Sequence, residues 1–152
     1  MTIYLDADSS PKVIKEILFR AAERVKVNLV LVANTSIKIP ESTYISSIVV
    51  SSGFDEADNK ITELVNAGDL VITEDIPLAD RVIDKGGFVV TPRGVQFTKE
   101  NIKERLAIRD MMDLIRTSGV ETGGPAPFSQ KETRVFAGKL DSFLVRYTVK
   151  HE

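Results

Sequence analysis

Short apolar, β-prone runs alternate along this chain with longer segments whose apolar residues recur every three or four positions. The runs fall at residues 2–5, 29–32, 44–50, 70–73 and 88–90. Helical patterning occupies 11–26, 56–67 and 99–117, with a third helix opened by Asp75-Ile76-Pro77 and a fifth by Ser129. Such alternation predicts a three-layer α/β domain spanning residues 1–152, with a mainly parallel central sheet and helices on both faces. The unbroken apolar run 29–32 suits a strand covered on both sides. The stripe Ile14, Ile17, Leu18, Ala21, Ala22 and Val25 gives the first helix one buried face. Ser10 is expected to cap that helix, with Pro11 at its first position. Gly68 is expected to stop the second helix, Thr98 to cap the fourth, and Ser129 with Glu132 to form a capping box. Phe136, Leu140, Phe143 and Tyr147 are core residues at helical spacing.

Composition narrows the chemistry. Cysteine is absent and the one histidine, His151, is next to the last residue. Disulfides, thiolate nucleophiles, cysteine–zinc sites and histidine-rich metal sites are thereby excluded. Catalysis is left to Asp, Glu, Ser, Thr, Lys, Arg and Tyr. With a net charge of −2 there is no global attraction for a polyanion. No apolar run approaches membrane-spanning length and no basic-then-apolar leader follows Met1, so a cytoplasmic protein without a membrane partner is expected.

The parallel topology places acidic residues together. In right-handed β-α-β units, the C-terminal end of each strand and the start of the next helix share one edge of the sheet. Asp6 and Asp8 end the first strand, Asp55 and Asp58 begin the second helix, and Asp75 ends the fourth strand. Arg93 follows the fifth. Carboxylates gathered without histidine or cysteine make an oxygen-rich site of the kind hard Mg²⁺ or Mn²⁺ prefers. Such a site fits phosphodiester hydrolysis without a protein nucleophile. Asp6, Asp8, Asp58 and Asp75 are the expected metal-binding and catalytic residues. Arg93 is expected to steady a substrate phosphate, with Ser10, Asn59 and Thr73 as further substrate contacts.

Competing readings stand beside this one. Asp55 and Asp75 occupy ordinary N-cap positions, Asp58 would favour the positive end of a helix dipole, and Asp8 could help cap the first helix. Asp6 has no evident capping task. Two further functions remain open: a non-catalytic nucleotide- or RNA-binding module using Arg93 and the Gly123-Gly124-Pro125 turn, and a small-molecule phosphatase with Asp6 as nucleophile. The sequence also leaves a homo-oligomer open.

Asp6-Ala7-Asp8-Ser9-Ser10-Pro11, Ala57-Asp58-Asn59, the block from Gly68 through Asp75-Ile76-Pro77-Leu78-Ala79, Pro92-Arg93-Gly94, Arg109-Asp110 and Gly123-Gly124-Pro125 occur in that order. The set resembles the YaiI/YqxD family of bacterial proteins over nearly the whole chain. That family usually carries cysteine where this chain has Ser10, and often asparagine where it has Thr91. Its fold is similar to that of the PIN-like nucleases, whose acidic residues gather around Mg²⁺ or Mn²⁺ to cut RNA. The resemblance implies that Asp6 is the first metal-binding aspartate, with Asp8 beside it and Asp58 and Asp75 as the later acidic positions.

Overall fold

The computed structural model describes residues 1–53, 55–119 and 128–151. The Gly123-Gly124-Pro125 turn lies outside them. Among the described residues, the strands are β1 (Thr2–Asp6), β2 (Asn28–Ala33), β3 (Ile45–Val49), β4 (Leu70–Ile72), β5 (Phe88–Val90) and β6 (Gln96–Phe97). The helices are α1 (Lys12–Val25), α2 (Glu56–Leu64), α3 (Ile76–Asp84), α4 (Lys99–Thr117) and α5 (Gln130–His151). No described helix is long and apolar enough to cross a membrane.

The sheet order is β3-β2-β1-β4-β5-β6. β1 through β5 are parallel to their neighbours, and β6 turns back antiparallel on β5. Each strand sends alternate side chains to opposite faces. Ile3, Leu5, Leu29, Leu31, Leu70 and Ile72 enter one core with α1 and α5. Tyr4, Val32, Val71 and Val89 enter the other with α2, α3 and α4. The result is the expected three-layer α/β arrangement. The link from β2 to β3 contains no helix. Ile37, Ile39 and Tyr44 nevertheless pack on the core beneath α1 and α5, so the loop itself covers that end of the sheet.

Crossovers from β1 run one way along the sheet and the return through α2 runs the other, so strand order reverses between β1 and β4. In open α/β sheets ligands bind in the crevice at such a reversal, outside the C-terminal ends of the strands.

Three local expectations are corrected. Ser10 does not cap α1: Pro11 occupies the N-cap with no side-chain hydrogen bond, and the helix starts at Lys12. A single 3-10 turn over Ala7–Ser9 precedes it, and the Ser10 hydroxyl instead donates to the Asp6 carbonyl at 2.9 Å. α2 ends at Leu64 rather than at Gly68, because Val65 turns extended (φ −68°, ψ 139°) to bury its side chain. The sheet has a sixth strand beyond the five apolar runs: β6 is two residues long and follows a turn rich in proline and glycine. Thr98 and Asn101 do cap α4 reciprocally (2.8 and 3.2 Å), and Glu132 accepts from the Ser129 amide at the start of α5.

Candidate acidic site at the strand switch point

Asp6 is the last residue of β1 and shares the parity of Tyr4, so its side chain leaves the sheet toward α2 and α3. Thr73, one residue beyond β4, shares the parity of Val71 and points the same way. The β1–β4 register pairs Leu5 with Ile72, which sets Asp6 beside Thr73. The fully buried Thr73 hydroxyl donates to Asp6 Oδ2 at 2.9 Å and accepts the Asp75 amide at 3.0 Å. Asp75 caps α3, its Oδ1 accepting from the Leu78 amide at 2.9 Å.

Asp58 reaches the same point from the first turn of α2. It is 8% exposed, and its carboxyl hydrogen-bonds that of Asp75. Burial, then the hydrogen bond and charge of Asp75, then the charges of Asp6 and Asp55, push Asp58 up to about 7. Asp58 thus keeps its proton well above the usual carboxylate range, beside Asp75. Burial also raises Asp6, and the charges of Asp75 and Asp8 add to that, while hydrogen bonds from Thr73 and Ser9 oppose it. A contrast comes from the opposite sheet edge. There Asp69 is 7% exposed, yet both its oxygens accept backbone amides, from Thr2 at 3.0 Å and Asn66 at 2.9 Å. That acid is tied down by the chain; Asp58 is faced by another acid.

The remaining expected site residues separate. Asp8 is exposed and turned to β2, where its Oδ2 accepts the Asn34 amide at 2.7 Å, so it reaches the cluster only through its charge on Asp6. Asp55 holds the N-cap position of α2 without a side-chain cap bond. Ser10 bonds the Asp6 carbonyl. Asn59 is exposed and accepts from Arg81 Nη1 at 3.3 Å. Thr73 is too buried to touch a substrate and serves as the link between Asp6 and Asp75. Arg93 is engaged by Glu74 and Glu132, each at 3.5 Å, with its guanidinium over the Phe128 ring. Ser9 was not anticipated as a partner of Asp6. The turn after β1 carries it there, a turn hidden in sequence behind the helix-start signature of Ser-Ser-Pro.

The donor set is hard oxygen throughout. Among the described residues no three acidic side chains are gathered tightly enough to enclose an ion. Mg²⁺ characteristically uses one or two carboxylates and completes its shell with water and substrate phosphate. The Asp58–Asp75 pair, with Asp6 adjacent, presents hard oxygen donors of that kind.

Fold and site together define a three-layer α/β protein with a carboxylate cluster at its strand switch point. The chain belongs to the family described as "Uncharacterized BCR, YaiI/YqxD family", whose model matches residues 4–146. It is 55% identical over 146 residues to a UPF0178 protein of Shewanella amazonensis, covering 96% of this chain and 98% of the relative. It is 56% identical over 146 residues to one of Shewanella pealeana (96% and 97%) and 52% over 147 residues to one of Cupriavidus necator (97% and 96%). No solved structure matches it.

Proposed function

We propose that this protein is a divalent-metal-dependent phosphodiesterase acting on RNA. The observation that supports the reading is the Asp58–Asp75 carboxyl pair beside Asp6 at the C-terminal edge of a parallel sheet. Asp58 and Asp75 would hold Mg²⁺ or Mn²⁺ beside Asp6, with Asp8 contributing charge from the rim. The ion supplies Lewis-acid charge for phosphoryl transfer. Thr73 and the α3 N-terminus fix Asp6 and Asp75 by hydrogen bonds to Asp6 Oδ2 and Asp75 Oδ1.

Purified protein with Mn²⁺ is expected to cleave single-stranded RNA. Asp6→Asn is expected to lower the rate roughly tenfold to hundredfold, the cost of losing an outer-shell partner. A wild type that cuts nothing across a broad panel of RNAs and single-stranded DNAs overturns the reading. RNA binding that survives EDTA without cleavage points to a binding module instead.

A further inference from the structure

We infer that Arg81, on α3, is the residue that binds the substrate phosphate, contacting a non-bridging oxygen of the RNA backbone; the inference rests on the phosphodiesterase reading. Its guanidinium is anchored to both segments that carry the carboxyl pair. Nη1 donates to the Asn59 side chain, next to Asp58, at 3.3 Å. Nε donates to the carbonyl of Pro77, two residues past Asp75, at 3.4 Å. Both acceptors are neutral and both bonds are long. Among the described residues Arg81 has no carboxylate partner. A half-buried guanidinium with five N–H donors thus stands beside an acidic crevice with most of its hydrogen-bonding capacity unused by acids. Its planar fork matches phosphate bidentately.

Other cations on these elements are engaged elsewhere. Arg93 pairs with Glu74 and Glu132, Lys103 with Asp80 at 2.8 Å, and Lys60 with Glu63 at 3.9 Å. Lys85 Nζ donates to the Thr62 carbonyl at 2.6 Å. Arg81 also lies six residues into α3 from the Asp75 cap, about 9 Å along the axis at the helical rise. Its guanidinium reaches back along the helix to the Pro77 carbonyl and to Asn59, and forms no ion pair with Asp58 or Asp75. A cation so placed attracts a phosphate without competing with the metal for the carboxyls.

The test is fluorescence anisotropy of a short labelled single-stranded RNA against full-length protein in Ca²⁺ over a KCl series, with Mn²⁺ affinity measured in parallel by calorimetry. Arg81→Ala is expected to weaken RNA binding about tenfold and to flatten the salt slope by about 0.7, the share of one phosphate contact. Mn²⁺ affinity should stay at the wild-type level, Arg81→Lys should recover part of the RNA affinity, and Arg93→Ala should have little effect. Should Arg81→Ala fail to fold, Arg81→Gln, which keeps a polar side chain and removes the charge, gives the same reading. If RNA and Mn²⁺ bind the wild type but Arg81→Ala binds RNA equally well, or Arg93→Ala carries the loss, the inference falls alone. If the wild type binds neither, the phosphodiesterase reading falls and takes Arg81 with it.

Discussion

The Thr73 hydroxyl has one proton to donate and gives it to Asp6, while its oxygen accepts the Asp75 amide. Thr73→Val keeps the shape and removes both bonds, leaving a buried amide and a carboxylate oxygen unsatisfied. A loss of about 1–3 kcal/mol in urea unfolding is expected, with Thr73→Ser restoring most of it; a Val variant as stable as wild type would deny the link. Asp58 makes a prediction of opposite sign. Between its ordinary value of 3.8 and about 7, the folded chain keeps a proton on Asp58 that the unfolded chain has released. This group's contribution to stability is therefore full at acid pH and declines as pH rises toward 7. Asp58→Asn mimics the protonated form. In EDTA its melting temperature should match wild type near pH 4 and exceed it by about 3 °C or more near pH 8. Equal melting at both pH values would show that Asp58 titrates normally. Both residues explain what sequence could and could not tell. A hydroxyl and an acid near strand and helix ends are visible as letters, but strand parity and β1–β4 register decide which way they point. That is why Thr73 read as a substrate contact although it is wholly enclosed.

At the scale of elements, what was legible followed from periodicity. α4 and β5 match their expected ranges because each carries its own stop signals, and α1 and α3 miss by a residue or so. β6 escaped because a two-residue strand has no periodicity, and because it exists through the turn that precedes it. In that turn the Thr91 amide bonds the Val95 carbonyl at 2.8 Å, and the Val95 amide bonds Thr91 Oγ1 at 3.1 Å. Gly94 sits at φ +88°, where a Cβ would lie 2.5 Å from Val135 Cγ1 and 2.8 Å from the Phe136 amide nitrogen. The turn thus carries the sheet edge against the backbone of α5, and only the missing side chain permits it. Gly94→Ala combines left-handed strain with a collision into a helix whose Phe136 is fully buried. A destabilisation of about 2 kcal/mol or more is expected, read as a lowered urea midpoint with an unchanged slope. A neutral substitution would mean that α5 can withdraw without cost.

At the scale of the molecule, the switch point gathers Asp6 from β1, Asp58 from α2 and Asp75 at the entry to α3, segments separated along the chain and joined only by folding. The proposed cation would bind the folded chain and not the unfolded one, so its binding free energy would add to stability. At a hundredfold excess over its dissociation constant the gain is about 2.7 kcal/mol. For a chain of 152 residues this corresponds to roughly 5–10 °C in melting temperature. The gain depends on pH, since the ion must displace the proton that Asp58 shares with Asp75. It should be largest above about pH 7 and shrink toward pH 5, opposite to the metal-free trend of the Asp58 contribution. Asp6→Asn should reduce the shift at every pH, whereas Asp69→Asn, at the opposite edge, should lower the baseline melting temperature without altering the response to Mn²⁺. Thermal scans with Mn²⁺ at several pH values decide the matter. A melting temperature indifferent to millimolar Mn²⁺ above neutrality would leave the cluster as a proton-sharing carboxyl pair with no ion to hold.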